Sequence, residues 1–247
     1  MQLVLILLRC LLNMDTKKEQ SFILDNLIRS AWFVFIIAAV HFIDWLIAFD
    51  FGTLGVLPRT ISGIKGIFFM PLLHGDLGHL GSNSVPLFVL SFLMFTTYPK
   101  VAKQSFTIIY FLSGIAVWVF ARQNYHIGAS GVVYGLAFFL FAMGIMRKDF
   151  RSMALALLVV FLYGGIIWGL LPLQPGVSFE GHIFGALAGI LSAWIYKDVS
   201  KAPPRICPEP EEGPVVEEPF WKPKEEELDI HIKYMYKKIE EEKSDLE

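Results

Sequence analysis

The chain is short of cysteine and of charge, and each shortage narrows what it can be. Its 247 residues hold two cysteines, Cys10 and Cys207. Both are expected on the cytoplasmic side of a membrane, so no disulfide framework is implied. Charged residues make up 18% of the chain, against roughly 25% in an average soluble domain. No basic face suggests nucleic acid as a partner. What the sequence has instead is apolar surface. Hydrophobic residues reach 55% and the mean hydropathy is +0.54, too apolar for an ordinary soluble domain.

That surface is arranged in stretches long enough to cross a bilayer core as helix. Six are counted, at about 29–49, 79–97, 104–121, 130–146, 152–172 and 181–197. The expected fold is an all-α membrane protein, a bundle of six transmembrane helices within the lipid bilayer. Lys17, Lys18, Arg29, Lys100, Lys103, Arg147, Lys148, Arg151, Lys197, Lys201 and Arg205 fall on one side of these spans. Only Arg59, Lys65 and Arg122 fall on the other. The excess of cations on the inner side places both termini in the cytoplasm.

The chain then divides into a cytoplasmic N-terminal segment, 1–28, a six-helix core, 29–197, and a cytoplasmic tail, 198–247. Residues 1–13 are apolar but too short to span. They read as an interfacial helix or as an over-extended start ahead of Met14, not as a cleaved signal. The tail opens with a proline-rich linker and continues as a helix from Glu225 to Glu247. Residues 203–247 carry 14 acidic and 7 basic groups, a balance that does not favour an anionic lipid surface. With no organelle-targeting segment recognised, the expected location is a bacterial cytoplasmic membrane.

A few polar residues inside the spans carry the chemistry. Polar groups are tolerated in lipid when they face the protein interior or a water-filled cavity. Ser130 lies in Gly128-Ala129-Ser130-Gly131, followed by Val132, Val133 and Tyr134. Its flanking glycines remove side chains where a carbonyl must approach the backbone. A serine hydroxyl needs a base to become a nucleophile. His182, at the start of the last span, is the candidate. Gly185 and Gly189 follow it at the same four-residue spacing as Gly131 and Gly135. Two such small-residue faces let helices approach closely and would bring Ser130 to His182. Tyr134, one turn below Ser130 on its face, could pack on the imidazole and orient it. The competing reading of each residue is ordinary helix packing, or a histidine bonded to a backbone carbonyl.

A third element is the run from His74 to Ser84. His79 and Asn83 share a face at the start of span two, and both can donate to a developing oxyanion. A metal site at His74, Asp76 and His79 is weighed and disfavoured, because the spacing is not that of helical zinc ligands. Glu180, two residues before His182, would point away from it, which favours a two-residue serine–histidine arrangement. His41 and Asp44 read as an interior polar pair, His126 as a surface or loop-packing group and His231 as solvated.

Together these motifs resemble the rhomboid family of intramembrane serine proteases. The resemblance covers about residues 29–197. It rests on Leu57-Pro58-Arg59-Thr60, on His74, His79 and Asn83 at their mutual spacing, on Gly128–Tyr134 and on Gly181–Gly189. It implies Ser130 as nucleophile, His182 as general base, His79 and Asn83 as oxyanion donors, and Tyr134 stacked on the base. It implies a structural Arg59 and a His74 that holds the first loop and lines a water-accessible cavity. It implies neither metal nor cofactor. Span two departs from the family pattern in lacking a glutamate. The expected activity is cleavage of transmembrane protein substrates. The alternatives are a catalytically silent rhomboid-like protein that binds membrane clients, and a transporter. The intact Ser130 and His182 argue against the first, and the scarcity of acids in the spans against the second.

Overall fold

The computed structural model describes residues 17–47, 50–173, 176–199 and 232–238. The chain divides into two units, residues 1–201 and 202–247. Of the second, a short helical stretch at 232–238 is described. Residues 1–13, Cys10, Cys207, the proline-rich linker, His231 and the rest of the expected tail helix lie outside the described residues.

The first unit is helical, and among the described residues there is no β-strand. Its long helices among the described residues are α1 (Lys17–Ile47), α2 (Leu77–Thr97), α3 (Ala102–Phe120), α4 (Ser130–Arg147), α5 (Phe150–Tyr163) and α6 (Phe179–Tyr196). Among the described residues five segments are long and apolar enough to cross a membrane: Gln20–Ile47, Leu77–Thr97, Ala102–Phe120, Ser130–Arg147 and Phe150–Leu170. Helix α6 is not among them. Its first turn carries Glu180 and His182, which lower its hydropathy.

Helix starts are set by side-chain caps. Asp76 accepts from the His79 amide at 2.8 Å, Asp149 from the Ser152 amide at 3.0 Å, and Ser178 from the Gly181 amide at 3.2 Å. Each satisfies one of the unpaired donors of a helix start and stabilises it by about 1 kcal/mol. Pro86 lies inside α2 and removes one intrahelical donor there. Span five also differs from expectation. Its α-helix ends at Tyr163 and continues as a tighter 3-10 segment, Gly164–Leu170. The Gly164-Gly165 pair is the local reason, since glycine weakens α-helix.

Helix α4 is central and packs on α6 more extensively than any other pair of elements meets. Leu136, Phe139, Leu140 and Met143 of α4 are fully buried. The α4–α6 seam is held by glycine. A Cβ on Gly185 would collide with the Gly131 carbonyl, and one on Gly189 with the Gly135 carbonyl. The two backbones therefore touch at two successive levels, the approach that small residues permit in membrane helices.

Candidate active site

Helix α4 begins at Ser130, just after Gly128 at φ 112°, a conformation that side-chain-bearing residues rarely adopt. Space demands glycine here as well. A Cβ would lie 2.6 Å from His79 Nε2 and 3.9 Å from Asn83 Nδ2. The bare backbone before Ser130 thus has His79 and Asn83 lying against it. Asn83 is buried and donates through Nδ2 to the His79 carbonyl at 3.0 Å.

The segment leading to Ser130 is pinned from the first connection. His126 and Val56 exchange backbone hydrogen bonds at 2.9 and 3.0 Å, and the Gly128 amide donates to the Met70 carbonyl at 2.9 Å. The Ala129 amide donates to His74 Nε2 at 3.4 Å. No side chain caps α4, so its first-turn amides remain available as donors.

His182 Nε2 lies 2.9 Å from Ser130 Oγ, and its Nδ1 lies 2.7 Å from the Gly169 carbonyl. A carbonyl only accepts, so Nδ1 carries the proton and Nε2 is left to accept from the serine hydroxyl. Tyr134 stacks on the imidazole, with centroids 4.1 Å apart and planes within 4°. Its hydroxyl donates to the Ile166 carbonyl at 2.7 Å. Both acceptors come from the 3-10 segment after α5, Gly164–Leu170. A Cβ on Gly169 would collide with the Tyr134 hydroxyl and lie 3.2 Å from His182 Nδ1. Sequence reasoning missed Gly169 and Ile166. The available signal was three glycines in the second half of span five.

His74 is buried and its ring lies edge-on to His79 at 5.0 Å. Burial, and then the neighbouring His79, push its pKa down to about 4, so it is neutral at neutral pH. Its carbonyl accepts from His41 Nδ1 at 3.1 Å, while Asp44 accepts from the Phe51 amide at 3.2 Å. These two, expected as a pair, are satisfied by different partners. The His79 amide bonded to Asp76 holds that carboxyl below its ordinary pKa. Among the described residues no group of three His, Cys, Asp or Glu is placed to hold a metal ion.

Arg59 has φ 57°, and its guanidinium donates to the Val119 carbonyl at 3.3 Å and the Ala121 carbonyl at 2.7 Å. It closes the C-terminal end of α3, where a cation also opposes the helix dipole. Trp118 Nε1 donates back to the Thr60 carbonyl at 2.9 Å, so the Leu57–Thr60 loop is clamped onto α3. Glu180 is ion-paired with Arg122 at 3.3 Å. His126, read from sequence as a surface or loop-packing group, is packed, 2% exposed and bonded through both ring nitrogens.

The class defined by these features is a helical protein with five membrane-length apolar helices among the described residues and a serine–histidine pair between α4 and α6. The Rhomboid domain family model matches residues 62–198. The chain belongs to the rhomboid family. Uncharacterised proteins of Mycobacterium bovis and Mycobacterium tuberculosis are 34% identical to it over 172 residues, covering 66% of this chain and 72% of theirs. A protein of Acanthamoeba polyphaga mimivirus, provisionally named a rhomboid protein, is 30% identical over 149 residues, covering 54% of this chain and 75% of its own. The apolar helices and the family together fit an integral membrane protein.

Proposed function

We propose that this chain is a serine endopeptidase that cleaves transmembrane protein substrates within or beside their membrane-spanning helix. The observation that carries the reading is the 2.9 Å contact between His182 Nε2 and Ser130 Oγ, with Nδ1 committed to the Gly169 carbonyl. Ser130 Oγ attacks the scissile carbonyl carbon as His182 Nε2 takes its proton. The imidazolium then protonates the leaving amine, giving an acyl-enzyme. Water, deprotonated by the same nitrogen, releases the acid and restores Ser130. His79, Asn83 and the Ser130 amide are the oxyanion donors of this reading. No carboxylate orients the base. The Gly169 carbonyl and the Tyr134 ring do so.

In this reading α6 is a sixth span, made less apolar by the base it carries. Both termini are cytoplasmic, and the membrane is the bacterial inner membrane. The substrate helix has to unwind at the cleaved bond, because helical carbonyls are already bonded. No cofactor or metal takes part.

The test is cleavage of a single-helix reporter by the full chain in reconstituted bilayers, with and without a chelator. Ser130→Ala and His182→Ala are each expected to abolish cleavage, and chelation to leave it intact. A parent chain that neither cleaves several reporters nor is labelled at Ser130 by a fluorophosphonate would overturn the reading.

A further inference from the structure

A second polar link joins the same two chain segments that carry Ser130 and His182. His126 stands four residues before Ser130, and Ser178 four residues before His182. His126 Nδ1 lies 2.6 Å from Ser178 Oγ. His126 Nε2 lies 3.0 Å from the Arg122 carbonyl, which only accepts. Nε2 therefore carries the proton, and Nδ1 accepts from the Ser178 hydroxyl. That same hydroxyl oxygen accepts from the Gly181 amide at 3.2 Å, so one atom both caps α6 and holds His126.

Arg122 strengthens the link. It donates to the Val177 carbonyl at 2.8 Å, pairs with Glu180 at 3.3 Å, and lies 5.4 Å above the Phe179 ring. Burial holds the His126 pKa below its ordinary value, against the opposing pull of the Arg122 carbonyl and Glu180. The ring stays neutral and its Nδ1 stays an acceptor.

We infer that His126, acting through Ser178, is a positioning residue that fixes the axial register of the nucleophile-bearing helix against the base-bearing helix. The inference rests on the protease reading. Its physical reason lies in the seam. Gly131 and Gly135 face Gly185 and Gly189 backbone to backbone, so no interlocking side chains at these levels oppose sliding along the contact. Sliding by about 1 Å would spoil the Ser130–His182 geometry, and misplacement of that size costs on the order of a hundredfold in rate. The His126–Ser178 bond is directional and sits one turn's worth of chain away on both sides, where it opposes that slide.

The experiment compares the full-length parent with Ser178→Ala, His126→Gln, the double variant and Ser178→Thr in reconstituted bilayers. It reads kcat and KM on the single-helix reporter, per Ser130 labelled to completion by fluorophosphonate, alongside the thermal midpoint. Ser178→Ala and His126→Gln should each lower kcat per labelled site about tenfold, with KM within about twofold. The double variant should be no worse than the worse single, because the two residues make one contact. Ser178→Thr, which keeps the hydroxyl, should restore most of the rate.

A merely structural role would lower the labelled fraction and the thermal midpoint and leave kcat per labelled site unchanged. That result, or losses that multiply in the double variant, overturns the inference while the protease reading stands. Should His126→Gln fail to fold, Ser178→Ala, the loss of one oxygen, decides alone. A parent that neither cleaves nor labels sinks the protease reading, and the positioning role falls with it.

Discussion

Helices α4 and α1 are both apolar, yet they are held in opposite ways. Of the membrane-length window in Ser130–Arg147, 67% is buried inside the protein; in Gln20–Ile47 the figure is 11%. Phe35, Trp45 and Leu46 of α1 are exposed, whereas the equally apolar Leu136, Phe139 and Leu140 of α4 are fully enclosed. Lipid tails are as apolar as leucine, so hydrophobicity alone does not draw membrane helices together. What separates the two helices is glycine. Helix α4 meets α6 through backbone contact at Gly131 and Gly135, which maximises dispersion contacts. The segment after α5 belongs to neither type. The Phe150–Leu170 window is only 17% buried, yet its end supplies the carbonyls that meet His182 and Tyr134. A weakly enclosed segment thus meets His182 of α6 and Tyr134 of α4, the most enclosed of these helices.

Breaking the seam should have the largest effect. Gly185→Leu drives a branched side chain into the Gly131 carbonyl. The helices must part, and Ser130 leaves hydrogen-bond reach of His182. Cleavage should fall at least a hundredfold, roughly, and stability by about 1–3 kcal/mol or more. Reporter cleavage and the thermal midpoint in detergent measure both. A variant that still cleaves at the parent's rate would show that the glycine contact does not hold the pair.

The next effect appears on acidification. His74 has a folded pKa of about 4, against an ordinary 6.5, so protonation favours the unfolded chain. Its contribution is fully present above the unfolded value and is lost as the pH falls from 6.5 toward 4. By linkage the loss reaches roughly 3 kcal/mol. His74→Gln, which keeps an acceptor for the Ala129 amide, should flatten the fall of the thermal midpoint across that window. An unchanged slope would move the acid-sensitive point away from the edge of the seam.

Gly169→Ala tests the weakly buried end of the site. The added methyl meets the Tyr134 hydroxyl and crowds His182 Nδ1, so the imidazole must turn. The expected loss is about tenfold in kcat with little change in KM, read by initial rates on the reporter. An equal loss in stability would make Gly169 part of the packing instead of part of what orients His182.

How far these contrasts were legible in the sequence depends on the kind of force involved. The helices, and the glycine spacing that places α4 on α6, could be read directly, because both are periodic along one segment. The meeting of His79 and Asn83 with Gly128 was legible only as compatible chemistry, since it depends on the folding of the first connection. The Gly169 and Ile166 carbonyls were not legible. Every residue has a carbonyl, and nothing local marks the two that the 3-10 segment after Tyr163 brings to Tyr134 and His182. The His126–Ser178 bond was not legible, because the two residues lie 52 apart in the chain and no local pattern joins them.

The smallest effect sharpens the comparison from its other side. Phe35 on α1 is 61% exposed, and with Ile28, Ala31 and Trp32 it lines a shallow apolar groove. If lipid is what covers this face, Phe35→Leu exchanges one apolar surface for another against a solvent that does not discriminate between them. Stability should then change by less than about 0.5 kcal/mol, and cleavage by less than about twofold. The thermal midpoint and the initial rate are read in the same bilayers. A substantially larger change would mean that something more specific than lipid tails packs on Phe35. The contrast between α1 and α4 would then lie in what encloses each helix, a partner for one and the protein's own glycine seam for the other.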